Sequence, residues 1–173
     1  MILKNLNKFF FKNSKNITVL FFFISLSIIG YILHPDYGIS LDEEYSRFHA
    51  LVQLNYISEI LFPNQKFEFQ LNNLIPKLSE YEYAEYGVFF EILLLLIIEV
   101  FLEIKNFSEI FYNRHFANHL LFIISVICFY FLCCNIFKNR IFSFLGAAIL
   151  YTSPRIFAQS FYNDKDLVFL SFF

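Results

Sequence analysis

The chain has 173 residues, 58% of them hydrophobic and 22% aromatic, with 27 Phe against only 4 Gly and 4 Pro, and a mean hydropathy of +0.55. That balance excludes an ordinary water-soluble domain. A net charge of −2, with Lys and Arg scattered beyond the N-terminus, supplies no basic field and excludes nucleic acid as a partner.

Residues 1–16 carry Lys4, Lys8, Lys12 and Lys15 with no acid, and residues 17–33 are almost wholly apolar up to His34-Pro35. A basic head on an apolar core fits either a signal peptide or an uncleaved anchor. No small-x-small cleavage site follows, so the anchor is expected, with its N-terminus in the cytoplasm by the positive-inside rule.

Beyond this first span, Ser40 stands three residues before Glu43, which spells a capping box. Leu41, Tyr45, Phe48 and Val52 then recur at helical spacing. An amphipathic helix over about 41–62 is predicted, ending at Pro63. Tyr81, Glu82, Tyr83, Glu85 and Tyr86 follow as a polar-aromatic patch. It suits contact with a sugar or acceptor, and equally suits aromatic anchoring at a membrane interface.

Three further apolar stretches cover residues 88–104, 116–137 and 141–160. The turn Lys138-Asn139-Arg140 between the last two is short and basic, which assigns it to the cytoplasm. If residues 17–33 leave the cytoplasm and 116–137 return to it, then 34–115 form one external loop and 88–104 do not cross. Wound as one helix, Glu91, Glu99, Glu103, Asn106, Glu109 and Asn113 fall within about 120° of arc, the stripe of a helix lying in the interface. Crossing with its acids turned into a bundle is the competing reading and inverts every later assignment.

The stretch 141–160 contains Ser153-Pro154-Arg155. Fourteen residues up to Pro154 rise only about 21 Å, short of the roughly 30 Å hydrocarbon core, so the span is expected to continue past the proline, with Arg155 near its outer rim. Cys128, Cys133 and Cys134 sit in an apolar run with no His or carboxylate at ligand spacing, and read as packing residues rather than a metal or redox site. The apolar run from Leu167 is too short to cross, so the chain reads as the N-terminal piece of a larger protein.

The predicted fold is therefore an all-α integral membrane protein, multi-pass, with transmembrane helices plus interfacial helices in a large external loop. Asp42 and Glu43 stand just above one span, and Asp164 and Asp166 just above another, on one side. Carboxylates so placed suit a general base for a hydroxyl and, with a divalent cation, a phosphate clamp. Lys165 and Arg155 suit the offset of phosphate charge. A capping box and a solvated turn are the plainer readings of the two acidic clusters.

This order of features resembles the C-type glycosyltransferase superfamily: a basic tail, one span, a long outer loop opening with Asp42-Glu43, two interfacial helices, and a Ser153-Pro154 span before an external Asp. Within it the likeness is to the dolichyl-phosphate-mannose protein mannosyltransferases and their bacterial relatives that use polyprenyl phosphate. The resemblance covers nearly all of this chain but only the N-terminal part of such an enzyme.

It implies inverting transfer of a sugar from a polyprenyl-phosphate-linked donor to a protein or lipid hydroxyl, at the periplasmic face of a bacterial inner membrane. Asp42 matches the family's base. Glu43 would position it or help bind Mg or Mn, and Asp166, more than Asp164, matches the second-loop acid, so Glu43 and Asp166 are the implied metal ligands. The partners implied are the lipid-linked donor, the acceptor and membrane lipids. The alternative from another class is a non-catalytic membrane protein, a transporter piece or assembly subunit.

Overall fold

The computed structural model describes residues 2–63 and 75–172. Seven α-helices and connecting turns make up the described residues, and none of these residues is in a strand. Helix α1 runs Ile2–Leu33, α2 Leu41–Leu61, α3 Phe89–Leu95, α4 Phe107–Phe137, α5 Arg140–Thr152, α6 Pro154–Tyr162 and α7 Asp166–Phe172. Ile17–Asp36 and Phe107–Phe137 are long and apolar enough to cross a membrane, and α5 with α6 would form a third crossing if the pair is one broken span.

α1 and α4 pack antiparallel. Phe23 meets Tyr130 at one level, and Tyr31 meets Phe116 higher up, with ring centroids 6.0 and 5.6 Å apart. Between these levels the backbone of Gly30 lies against the His119 ring, where any Cβ would overlap it. α5 returns along α4, with Gly146 against Cys133 and Tyr151 beside His119. Phe23, Leu26, Phe122, Val126, Ala147 and Tyr151 form the shared apolar core. The opposite faces are greasy as well: Leu20, Phe21, Ile32 and Ile149 are all exposed, as suits helices whose outer solvent is hydrocarbon.

α2 begins where the sequence places it. The Ser40 side chain accepts from the Glu43 backbone N–H, while the Glu43 carboxylate accepts from the Ser40 N–H at 2.8 Å, a complete capping box.

The acidic stripe is a correction. Residues 88–113 are not one helix. α3 stops after seven residues, passes into wide turns over Leu96–Phe101, and breaks at Glu103, whose φ is 53°. Glu91 and Glu99 point inward to cations, while Glu103 and Glu109 are exposed. α3 with its wide turns is about 20 Å long, too short to cross a roughly 30 Å core. It lies between α2, through Leu51, Leu54 and Leu95, and α4, through Leu94, Ile98 and Ile110.

Two more boundaries differ. α4 starts at Phe107 rather than 116, because Asn106 caps it by accepting from the Ser108 N–H. Its 31 residues reach about 46 Å, so its first turns extend past any hydrocarbon core and can carry polar groups. The stretch 141–160 is not one continuous helix: α5 and α6 are bent by 61° at Ser153. Pro154 brings no N–H and pushes Ser153 into extended backbone, ψ 113°, so the helix restarts in a new direction.

Candidate functional site

The bend sends α6 across the end of the bundle where α1 stops and α4 begins. Phe161 stacks on His119 at 4.3 Å and on Tyr37 at 4.2 Å, and its carbonyl accepts from the Asn118 side chain at 3.1 Å. The Ser160 hydroxyl donates to the Phe157 carbonyl, so His119 Nδ1–H donates to Ser160 Oγ at 2.7 Å. This anchoring delivers the α6–α7 turn, with Asp164, over α4.

At the centre sits Arg114, 1% exposed. Its Nη2 donates to Glu91 of α3 and, at 3.4 Å, to Asp164. Ser46 of α2 donates to the other Asp164 oxygen at 3.3 Å. One turn back on α2, Glu43 is also buried, with Oε1 2.8 Å from His115 Nε2, while His115 Nδ1 faces the His34 carbonyl. A second cation, Arg47, grips Glu99 in a two-point fork at 2.7 and 2.6 Å. Four elements thus share one buried polar network, in which the Arg114 guanidinium faces the carboxylates of Glu91 and Asp164.

The network is acid-rich. Burial, then the neighbouring charge of Glu91, pushes the Asp164 carboxyl up to about 8 in spite of Arg114. The shift favours the protonated carboxyl, the form that can donate as well as accept. Arg114 Nε and Nη1, Glu91 Oε1 and Asn118 Oδ1 are buried with no protein partner.

Beside the network opens a cleft of about 400 Å³, with Ser46, His49, Tyr86, Glu91, Asp164 and Lys165 on its walls and apolar side chains of α7 closing one side. The segment before α3 is folded onto α2 through Gln53, whose side-chain amide donates to the carbonyls of Ala84 and Tyr86. His49 stacks on Tyr86 at 5.2 Å, its Nδ1 lies 2.5 Å from the Tyr81 hydroxyl, and the Lys165 ammonium lies 5.0 Å over the Tyr86 ring. Burial and the charge of Lys165 hold the His49 imidazole below its usual value, hence neutral.

Of the residues singled out from sequence, Glu43 and Asp164 enter the network, and Lys165 stands exposed at the cleft rim. Asp42 is exposed on the first turn of α2. Asp166 is exposed on the first turn of α7, its carboxylate accepting from the Asn163 side chain at 3.1 Å and its backbone N–H donating to the Asn163 side-chain oxygen at 2.9 Å. Arg155 lies exposed at the far end of α6 from Asp164, outside the network. Of the two implied metal ligands, Glu43 accepts from the Ser40 N–H in the capping box and faces His115, and Asp166 accepts from the Asn163 side chain. Among the described residues no three His, Cys, Asp or Glu side chains gather as a metal site.

Arg114, His115, Asn118 and His119 escaped the sequence reading. Their spacing of one, three and one puts them on one side of an apolar helix, a pattern that marks a polar interior. Comparison with protein-family models, curated proteins and solved structures finds no match for this chain.

Proposed function

We propose that this chain is the N-terminal portion of a multi-pass membrane glycosyltransferase that moves a sugar from a polyprenyl-phosphate donor to a protein or lipid hydroxyl at the periplasmic face. The observation that supports the reading is the meeting of two distant acidic segments, those of Glu43 and Asp164, at one end of the helices beside a cleft of about 400 Å³.

In the proposed reaction Asp42, exposed one residue before the buried Glu43, removes the acceptor hydroxyl proton. The oxygen attacks the anomeric carbon as the bond to the phosphate oxygen breaks, and the polyprenyl phosphate leaves with inversion. Lys165 offsets the charge of the departing phosphate. Asp164, whose buried carboxyl is shifted towards its protonated form, donates from that form to a phosphate oxygen instead of repelling it. Phosphate is a good leaving group once its charge is balanced, so no separate strong acid is required, and no step is routed through a metal.

In the full-length enzyme Asp42→Asn is expected to lower transfer by roughly 10²- to 10⁴-fold, the usual worth of a general base, with membrane insertion unchanged. Normal transfer by that variant would remove Asp42 from the mechanism. The competing reading, a non-catalytic transporter piece or assembly subunit, is favoured by the network itself, whose carboxylates all serve buried cations or caps. It expects Asp42 and Lys165 to be freely replaceable.

A further inference from the structure

The cleft beside the network carries charges of both signs on one side and hydrocarbon on another. Glu91 and Asp164, both buried, line it together with Ser46, and Lys165 stands exposed at its rim. The two carboxylates outnumber the cation that pairs with them. Arg114 serves both, since Arg47 is committed to Glu99. Glu91 gives Oε2 to Arg114, while its Oε1 is buried with no N–H or hydroxyl donor among the described residues. In the free protein a proton offsets the surplus negative charge, as the upward shift of the Asp164 carboxyl marks. Away from these groups the cleft is lined by Val168 and Phe172 of α7 and by Phe89. α7 enters the apolar bundle, where its Leu167 packs with Phe23, Leu26 and Phe122 of α1 and α4.

We infer that the cleft is a binding site for phosphatidylethanolamine, its primary ammonium at Glu91 and Asp164, its phosphate at Lys165 and an acyl chain along α7 and Phe89. The inference rests on α1 and α4 crossing a membrane. It goes beyond the sugar-transfer reading, whose donor phosphate would compete with the lipid for Lys165.

Charge and shape select this occupant. A primary ammonium brings one positive charge and three N–H donors, which are what the surplus carboxylate charge and Glu91 Oε1 lack. It takes the place of the proton that Asp164 otherwise holds. A phosphatidylglycerol head offers the carboxylates no cation, and a choline head offers Oε1 no N–H. Lys165 supplies the phosphate with its counter-charge at the mouth, where its ammonium lies 5.0 Å over the Tyr86 ring. A soluble amine would leave the apolar side of the cleft uncovered. Phe89 and Phe172 are 76% and 69% exposed, as suits a cleft that opens sideways to lipid.

The test uses the chain in phosphatidylcholine vesicles containing a trace of a photoactivatable acyl-chain probe of phosphatidylethanolamine, phosphatidylglycerol or phosphatidylcholine, with labelled peptides mapped by mass spectrometry. No sugar donor is present, so the outcome is separate from that of the transfer assay. The phosphatidylethanolamine probe is expected to label residues 86–91 and 168–172 about tenfold more than either other probe, the usual worth of a hydrogen bond to a charged group. Leu20, Phe21 and Ile24, exposed on α1, should take the three probes equally and serve as the reference. Asp164→Asn copies the neutral carboxyl in shape and should bring the phosphatidylethanolamine and phosphatidylcholine probes level. Lys165→Gln, at an exposed position, should lower phosphatidylethanolamine labelling roughly fivefold. Equal labelling by phosphatidylethanolamine and phosphatidylcholine in the parent protein overturns the proposal, as does a preference that survives Asp164→Asn. If Asp164→Asn does not fold, Lys165→Gln decides, and undiminished labelling overturns it. A preference for phosphatidylglycerol also overturns it and leaves Lys165 as a site for anions alone. Protection of residues 168–172 from all three probes overturns it by showing that the cleft does not open to lipid.

Discussion

At the end where α1 stops and α4 begins, the chain buries Glu43, Glu91 and Asp164 around Arg114, with Arg47 and Glu99 beside them. At the other end, where α4 turns into α5, the same helices pack Phe23, Tyr130 and Ala147 and carry no acid at all. The contrast shows how two kinds of cohesion divide the labour. The lower part is held by apolar packing and close approach, as where Gly146 meets Cys133. The upper part is joined by ion pairs and hydrogen bonds between residues as far apart in sequence as Arg114 and Asp164 or Ser46 and Asp164, which makes it specific but vulnerable to the loss of any partner.

That contrast can be broken most severely at Arg114. Arg114→Met leaves Glu91 and Asp164 buried without their cation and is expected to destabilise the protein by about 3–5 kcal/mol, read as a fall in thermal unfolding temperature in detergent. An unchanged unfolding temperature would mean the carboxylates reach water or another cation. At the boundary between the two ends, Gly30→Ala drives a methyl into the His119 ring. Overpacking of this kind costs about 1–3 kcal/mol, while Ala in place of Gly in a helix returns roughly 1 kcal/mol, so the net effect is a moderate loss. A gain in stability from Gly30→Ala would show that α1 and α4 do not approach so closely.

The comparison can also be probed through pH. Asp164 in the folded protein titrates near 8, against an ordinary 3.8, so the folded state holds a proton that the unfolded state releases between those values. Stability should therefore fall as pH rises from about 4 to about 8, and Asp164→Asn should flatten that part of the profile. A profile that Asp164→Asn leaves unaltered would assign the slope to another group.

Much of the apolar framework was legible from residues 17–33, from 116–137 and from the Lys138-Asn139-Arg140 turn, because a long greasy run and its basic flank are local signals. The start of α2 was legible for the same reason: the Ser40 and Glu43 pair is a complete local instruction. The acidic stripe misled because winding at 100° per residue assumes an unbroken helix, and the break at Glu103 has no Pro or Gly to announce it. At Pro154 the argument from bilayer thickness overrode a local rule, and the local rule prevailed: the helix bends by 61°. In the site, Glu43 and Asp164 stood out by position. Their partners Arg114, Glu91 and Ser46 did not, since pairings across 23, 50 and 118 residues leave no mark in any short window.

The central claim, that the Asp42-Glu43 segment and the Asp164-Lys165 segment share one end while the Lys138–Arg140 turn occupies the other, is tested most directly by labelling in intact membranes. With Cys128, Cys133 and Cys134 replaced, Asp42→Cys and Lys165→Cys should react with a membrane-impermeant maleimide from the same side, and Arg140→Cys only from the opposite side. Labelling of Asp42→Cys and Lys165→Cys from opposite sides, or of Arg140→Cys from the side they share, would contradict it.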